Sequence, residues 1–168
     1  MKRLGMACSL LLLLTVSPAI AGQDEAPGLV DFDRFWNDGE PAETEAKFRS
    51  LLAEAAGGED HNLHAQLLTQ IARCQGLQRE FAKGHETLDE AEALIGDGGG
   101  AAGVRLLLER GRNFNSAGEK ERSLPLFTAA LEQAEKLDLE FHAVDAAHML
   151  GIVTDGEKSL DWNRKAIE

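Results

Sequence analysis

Cysteine and positive charge are both scarce in this chain, and each shortage excludes something. Its 168 residues hold two cysteines, and one of them, Cys8, lies within the first stretch, which reads as a leader. Once that leader is removed Cys74 stands alone, so no disulfide can form within the chain even in an oxidising compartment. Cys74 falls beside the buried line of a helical pattern, where a packed, inert thiol is expected. Lys and Arg number 17 against 29 Asp and Glu, a formal net charge of −12. So acidic a balance repels phosphate backbones and anionic lipid, and neither nucleic acid nor a membrane surface is expected as a partner. No Asn-x-Ser/Thr sequon occurs. No segment alternates polar and apolar residues for long enough to make a strand, which removes β architectures.

Met1, Lys2 and Arg3 precede a leucine-rich stretch from Leu10 to Val16, then Pro18 and Ala19-Ile20-Ala21, before polar, acidic sequence begins. A charged start, a short apolar run and a small-x-small box are the parts of a Sec signal peptide cut after Ala21. Leu4 to Ala21 is nearly long enough to span a bilayer, so a retained anchor is the competing expectation. Pro18 and the cleavage box favour removal. A lipoprotein is not expected, because Cys8 precedes the apolar run instead of following it. Removing 1–21 leaves 147 residues at a net charge of −14, since the leader carries Lys2 and Arg3 and no acid. That is enough for one domain with its own core. The expected location is periplasmic or extracellular.

Residues 22–58 read as an N-terminal helical segment, with a short aromatic stretch at Asp31–Trp36 and a helix over Pro41–Ala56. Pro41 suits the first turn, and Gly57-Gly58 ends the element. Residues 59–168 carry apolar residues at three- and four-residue steps, predicting helices over Asn62–Leu77, Phe81–Ile95, Val104–Ser116, Lys120–Lys136, Glu140–Ile152 and Lys158–Ile167. Asp60 is placed to cap the first of these. Gly96–Gly103, with five glycines in eight residues, reads as a flexible loop between repeats. The short turns imply antiparallel helix pairs. Pro125 deep inside a helix would cost about 3 kcal/mol, so regular hydrogen bonding is expected to start at Ser123, acting as a cap.

What the chain has in plenty is repetition. Sliding Leu68, Ile71, Ala72, Gly84, Leu88 and Ala91 forward by thirty-nine gives Leu107, Arg110, Gly111, Ser123, Phe127 and Ala130, which keeps size and polarity at five of six positions. A shortened third copy keeps Ala147, Leu150, Gly151, Ser159 and Ala166. Repetition at such a period means stacked helix pairs. Small residues at Ala72, Gly84, Gly111 and Ser123 let the helices of a pair approach, while Leu88 and Phe127 fill the space between pairs.

From about Asn62 to Glu168 this pattern resembles a tetratricopeptide repeat array, of the long-repeat variety seen in kinesin light chains and bacterial regulators; 22–58 then holds a degenerate repeat. The resemblance implies an all-α fold of tandem antiparallel helix pairs, stacked as a right-handed solenoid of about three repeats. The last is incomplete, since the sequence stops at Ala166-Ile167-Glu168. It implies a non-catalytic scaffold or adaptor that binds a protein or peptide on a concave face. Four features depart from the family: the longer period, Arg110 at an apolar position, Lys120 where Phe81 would have an aromatic counterpart, and the missing terminal proline. An unrelated helical bundle is the alternative architecture.

No catalytic constellation is present, and no cofactor is expected. Gly96–Gly103 lacks the lysine and preceding strand of a phosphate loop. His61 and His64, and His142 and His148, lack the spacing of a zinc site and read as solvated or cap-adjacent. His85-Glu86 is half a zincin motif, with Asp89 where the second histidine belongs. Carrying the family's groove positions across gives Gln66, Thr69, Gln70 and Arg73 from the first repeat. The second supplies Arg105, Leu108, Glu109, Arg112 and Asn115, and the third Asp145, His148 and Ile152. Arg73 and Arg112 are thirty-nine apart, so a regular stack sets two guanidiniums one repeat from each other. Two outcomes are open: forks offered to a ligand carboxylate, or ion pairs with groove acids such as Glu109 and Asp145. Competing functional expectations are a self-associating structural unit and a small metal- or ligand-binding protein using the histidines.

Overall fold

The computed structural model describes residues 31–55, 58, 60–96 and 99–167. The expected leader and the expected stop at Gly57 lie outside these. The described residues are all-helical, with a 3-10 turn at Asp33–Phe35 followed by α1 (Pro41–Ala55), α2 (His61–Leu77), α3 (Phe81–Ile95), α4 (Gly100–Ser116), α5 (Lys120–Lys136), α6 (Glu140–Val153) and α7 (Glu157–Lys165). Local chemistry accounts for several of these limits. Pro41 opens α1 where its missing N–H costs nothing. Asp60 caps α2, its carboxylate accepting from the Leu63 amide at 2.9 Å.

The thirty-nine-residue echo survives as backbone geometry. After α2 the amides of Gln78, Arg79 and Glu80 donate to the carbonyls of Cys74, Gly76 and Gln75 at 3.0, 3.0 and 2.8 Å. After α4 the amides of Ala117, Gly118 and Glu119 donate to Asn113, Asn115 and Phe114 at the same 3.0, 3.0 and 2.8 Å. Every donor and acceptor has moved by one period, and both ends close as Schellman motifs. The left-handed residue is Gly118 at φ 87° in one and Arg79 at φ 63° in the other, where the β-carbon makes the conformation costlier.

Two elements differ from expectation. Gly96–Gly103 is not loop throughout, because α4 begins at Gly100. Ala101, Ala102 and Gly103 are buried, and the Gly103 amide reaches the Gly99 carbonyl at 2.8 Å. Burial of the two alanines offsets the poor helix propensity of the glycines, which serve the entry: Gly99 and Gly100 have φ of 46° and 54°. Likewise α5 begins at Lys120, so Ser123 is no cap; its hydroxyl donates back to the Lys120 carbonyl at 2.8 Å. Pro125 sits inside the helix on the exposed side, next to solvent that can serve the Glu121 carbonyl it leaves unpaired.

Each helix packs on its successor, α2 and α3 both lie against α4, and α4 touches α6. Two apolar clusters result. The first joins Phe32 and Phe48 to Leu67, Ile71, Ala72 and Leu88 and extends to Ala102 and Leu106 of α4. The second starts from Val104 and Leu108 of the same helix and includes Phe127, Ala130, Ala146 and Leu150. Buried toward both, α4 is the shared wall between the two halves. Arg110, on the third side of α4, bridges to Asp89 at 2.8 Å and Glu92 at 3.0 Å on α3, which explains an arginine at an otherwise apolar repeat position.

Candidate partner-binding groove

One side of α2, α4 and α6 encloses a groove of about 380 Å³. Gln70 and Arg73 come from α2, Arg105, Leu108, Glu109 and Arg112 from α4, and Asp145 and His148 from α6. Eight of the twelve residues expected on the concave face therefore meet here. They share it because residues three and four apart on one helix lie on the same side, and α4 packs against both α2 and α6. Asn115 lines an adjoining hollow of about 230 Å³ with Arg73, Glu109 and Arg112. Ile152 lies farther along α6, 45% exposed and outside both hollows. Gln66 and Thr69 are buried, with the Thr69 hydroxyl donating to the Gln66 carbonyl at 2.6 Å and Gln66 Nε2 donating to Asn62.

The groove's charges are arranged around Glu109. Arg112 Nη1 donates to Glu109 Oε1 at 2.6 Å, and its Nη2 donates to Asp145 Oδ1. Arg73 Nη1 stands 3.8 Å from the same Glu109 oxygen. Of the two outcomes open from the sequence, the one built is internal pairing. Burial disfavours charge on Arg112, but Glu109 and Asp145 outweigh it and hold the guanidinium protonated above its ordinary range. The second oxygen of Glu109, Oε2, is buried with no hydrogen-bond partner among the described residues.

The aromatic segment before α1 closes one end. Trp36 Nε1 donates to Gln70 Oε1 at 3.0 Å. The Arg73 guanidinium lies 4.9 Å from the Trp36 ring centroid, and that of Arg105 lies 5.0 Å from the ring of Phe32. Asp33 also reaches the groove. Three further lining residues, Phe141, His142 and Val144, were not among the expected set. Their signal was present in the sequence: α6 is apolar around nearly its whole circumference, with only Glu140, His142, Asp145 and His148 polar.

Of the reading of the histidines as solvated or cap-adjacent, His142 keeps only the second part, as the third residue of α6. It is 2% exposed, and neither ring nitrogen has a hydrogen-bond partner among the described residues. Burial, reinforced by Arg105, lowers its pKa to about 4, so the ring is neutral at pH 7. His148 and His61 are exposed, and His64 is half-buried. His85 stacks on Phe114 with ring centroids 4.3 Å apart. Among the described residues no group of three or more His, Cys, Asp or Glu is placed to hold a metal ion, and no helix is long and apolar enough to cross a membrane. Cys74 is buried in α2, and burial together with the nearby Glu45 carboxylate pushes its thiol up to about 12. Compared with family models, curated proteins and solved structures, the chain matches none.

Proposed function

We propose that this chain is an exported, non-catalytic scaffold of the tetratricopeptide type. Its helix pairs stack as a right-handed solenoid, and the groove on α2, α4 and α6 receives a peptide or protein segment. A single observation carries the reading: Arg73 and Arg112, one repeat apart, line one open groove with an exposed apolar side, Phe141 at 64% and Val144 at 48%. Internal pairing of Arg112 shifts the expected ligand contacts to Arg73, His148 and that apolar side. The test is selection of binding peptides from a displayed random library on the immobilised chain, followed by affinity measurement against an Arg73→Ala/His148→Ala variant. Affinity should fall about tenfold, the cost of losing contact residues near the centre of an interface. Unchanged affinity across the selected peptides would overturn the reading.

A self-associating unit is the second reading, favoured by exposed Leu124 (39%) and Leu160 (58%) on α5 and α7. A mass that rises with concentration in light scattering would support it.

A further inference from the structure

An apolar helix is expected to be covered on every side, and α6 is not. Phe141, Val144, His148 and Ile152 follow one another at steps of three and four residues, so they form one stripe about 16 Å long on a helix rising 1.5 Å per residue. Phe141, Val144 and Ile152 are 64%, 48% and 45% exposed. The stripe starts in the groove and runs out of it past His148.

Charge surrounds this stripe unevenly. Asp138 and Glu140 are exposed at its first end, Asp155 and Glu157 at its far end, and none of the four has an ion-pair partner among the described residues. No Lys or Arg occurs from 137 to 157, although Lys136 and Lys158 bound the stretch. On the opposite side the guanidiniums of Arg73, Arg105 and Arg112 face the carboxylates of Asp33, Glu109 and Asp145 in equal number. The groove is thus neutral overall, while the two ends of the stripe are acidic within a chain of net charge −12.

Resting on the proposed binding role of the groove, we infer that its partner is a basic amphipathic helix. It lays an apolar face along Phe141, Val144 and Ile152, and its Lys or Arg side chains reach the acids at either end. A helix fits better than an extended peptide because the walls are themselves helices. Their backbone groups are already bonded, so an extended chain would find no main-chain partners there. A second copy of this chain fits worse, since pairing stripe to stripe would bring like charges together.

The probe is a leucine/lysine amphipathic peptide of about fourteen residues, long enough to match the stripe, beside its leucine/glutamate counterpart. Anisotropy of the labelled peptides is followed on titration with the full chain. The lysine peptide should bind at least about tenfold more tightly than the glutamate peptide, and Phe141→Ala/Val144→Ala should weaken it by a similar factor. Equal binding of the two peptides, or no effect of the double variant, would overturn the basic-helix inference. The groove reading itself falls only if peptides selected from the random library also ignore the groove variants. In a Val144→Cys variant, iodoacetamide labelling of the new thiol, quantified on its own proteolytic fragment, should be rapid in the free chain and slowed by the lysine peptide. Slow labelling without peptide would mean that a second copy or the chain's own leading residues already cover the stripe, and would equally overturn the inference.

Discussion

Gly111 and Phe127 occupy each other's space: a β-carbon on residue 111 would stand 2.5 Å from Cε1 of the Phe127 ring. One period earlier the corresponding residues are Ala72 and Leu88, both fully buried in the first cluster. The smaller residue of one repeat goes with the larger of the same repeat, so the volume shared between the two helices is kept while its division changes. Gly111→Ala should therefore destabilise the chain by about 1–3 kcal/mol through overpacking, despite alanine's better helix propensity. Adding Phe127→Leu should recover part of that loss, giving a coupling between the two sites in urea denaturation.

Arg112 and Arg73 are equivalent in the repeat and unequal in energy. Arg112 is 18% exposed and bound to two carboxylates, whereas Arg73 is 38% exposed and 3.8 Å from its acid. Arg112→Ala strands the buried Glu109 charge and should cost about 3–5 kcal/mol. Arg73→Ala should cost less than about 1 kcal/mol. Thermal melts of the two variants, run side by side, check the order.

His142 predicts an acid-sensitive fold. Its pKa falls from 6.5 to about 4 on folding, so between these values the unfolded chain binds the proton and the folded chain does not. Stability is then fully present above about pH 6.5, declines as the pH falls, and stops declining from this source near pH 4, a loss of up to about 3 kcal/mol. Arg105 and Arg112 oppose protonation and Asp145 favours it. Urea midpoints measured across this range should flatten in a His142→Phe variant once its overall stability change is subtracted.

Cys74 should be inert in the folded state. Fully buried, with its thiol pushed up to about 12, it offers almost no thiolate at neutral pH. Iodoacetamide should leave the fragment carrying Cys74 unmodified in the native chain and alkylate it in denaturant, as read by mass spectrometry.

Helix positions were legible because their causes are local. Asp60 caps the amide three residues on, Pro41 opens a turn, and the three-residue links at Gln78–Glu80 and Ala117–Glu119 close two helices by contacts within five residues. Where the reading missed, a distant contact prevailed over a local rule. The glycines at 100 and 103 are helical because Ala101 and Ala102 are buried beside them. Pro125 stays inside α5, whose Phe127, Ala130 and Leu131 are anchored in the second cluster.

The groove divides in the same way. The spacing of the sequence by itself determined which residues share a side of α2, of α4 and of α6, since a residue's side of a helix follows from its number. Whether a given arginine on those faces is offered to a partner or held inside was decided only by the tertiary structure. Arg112 meets an aspartate thirty-three positions away, and His142 is buried with its charged form further disfavoured by Arg105 of α4. Charge pairing and desolvation depend on distances between helices, which no spacing along one helix encodes.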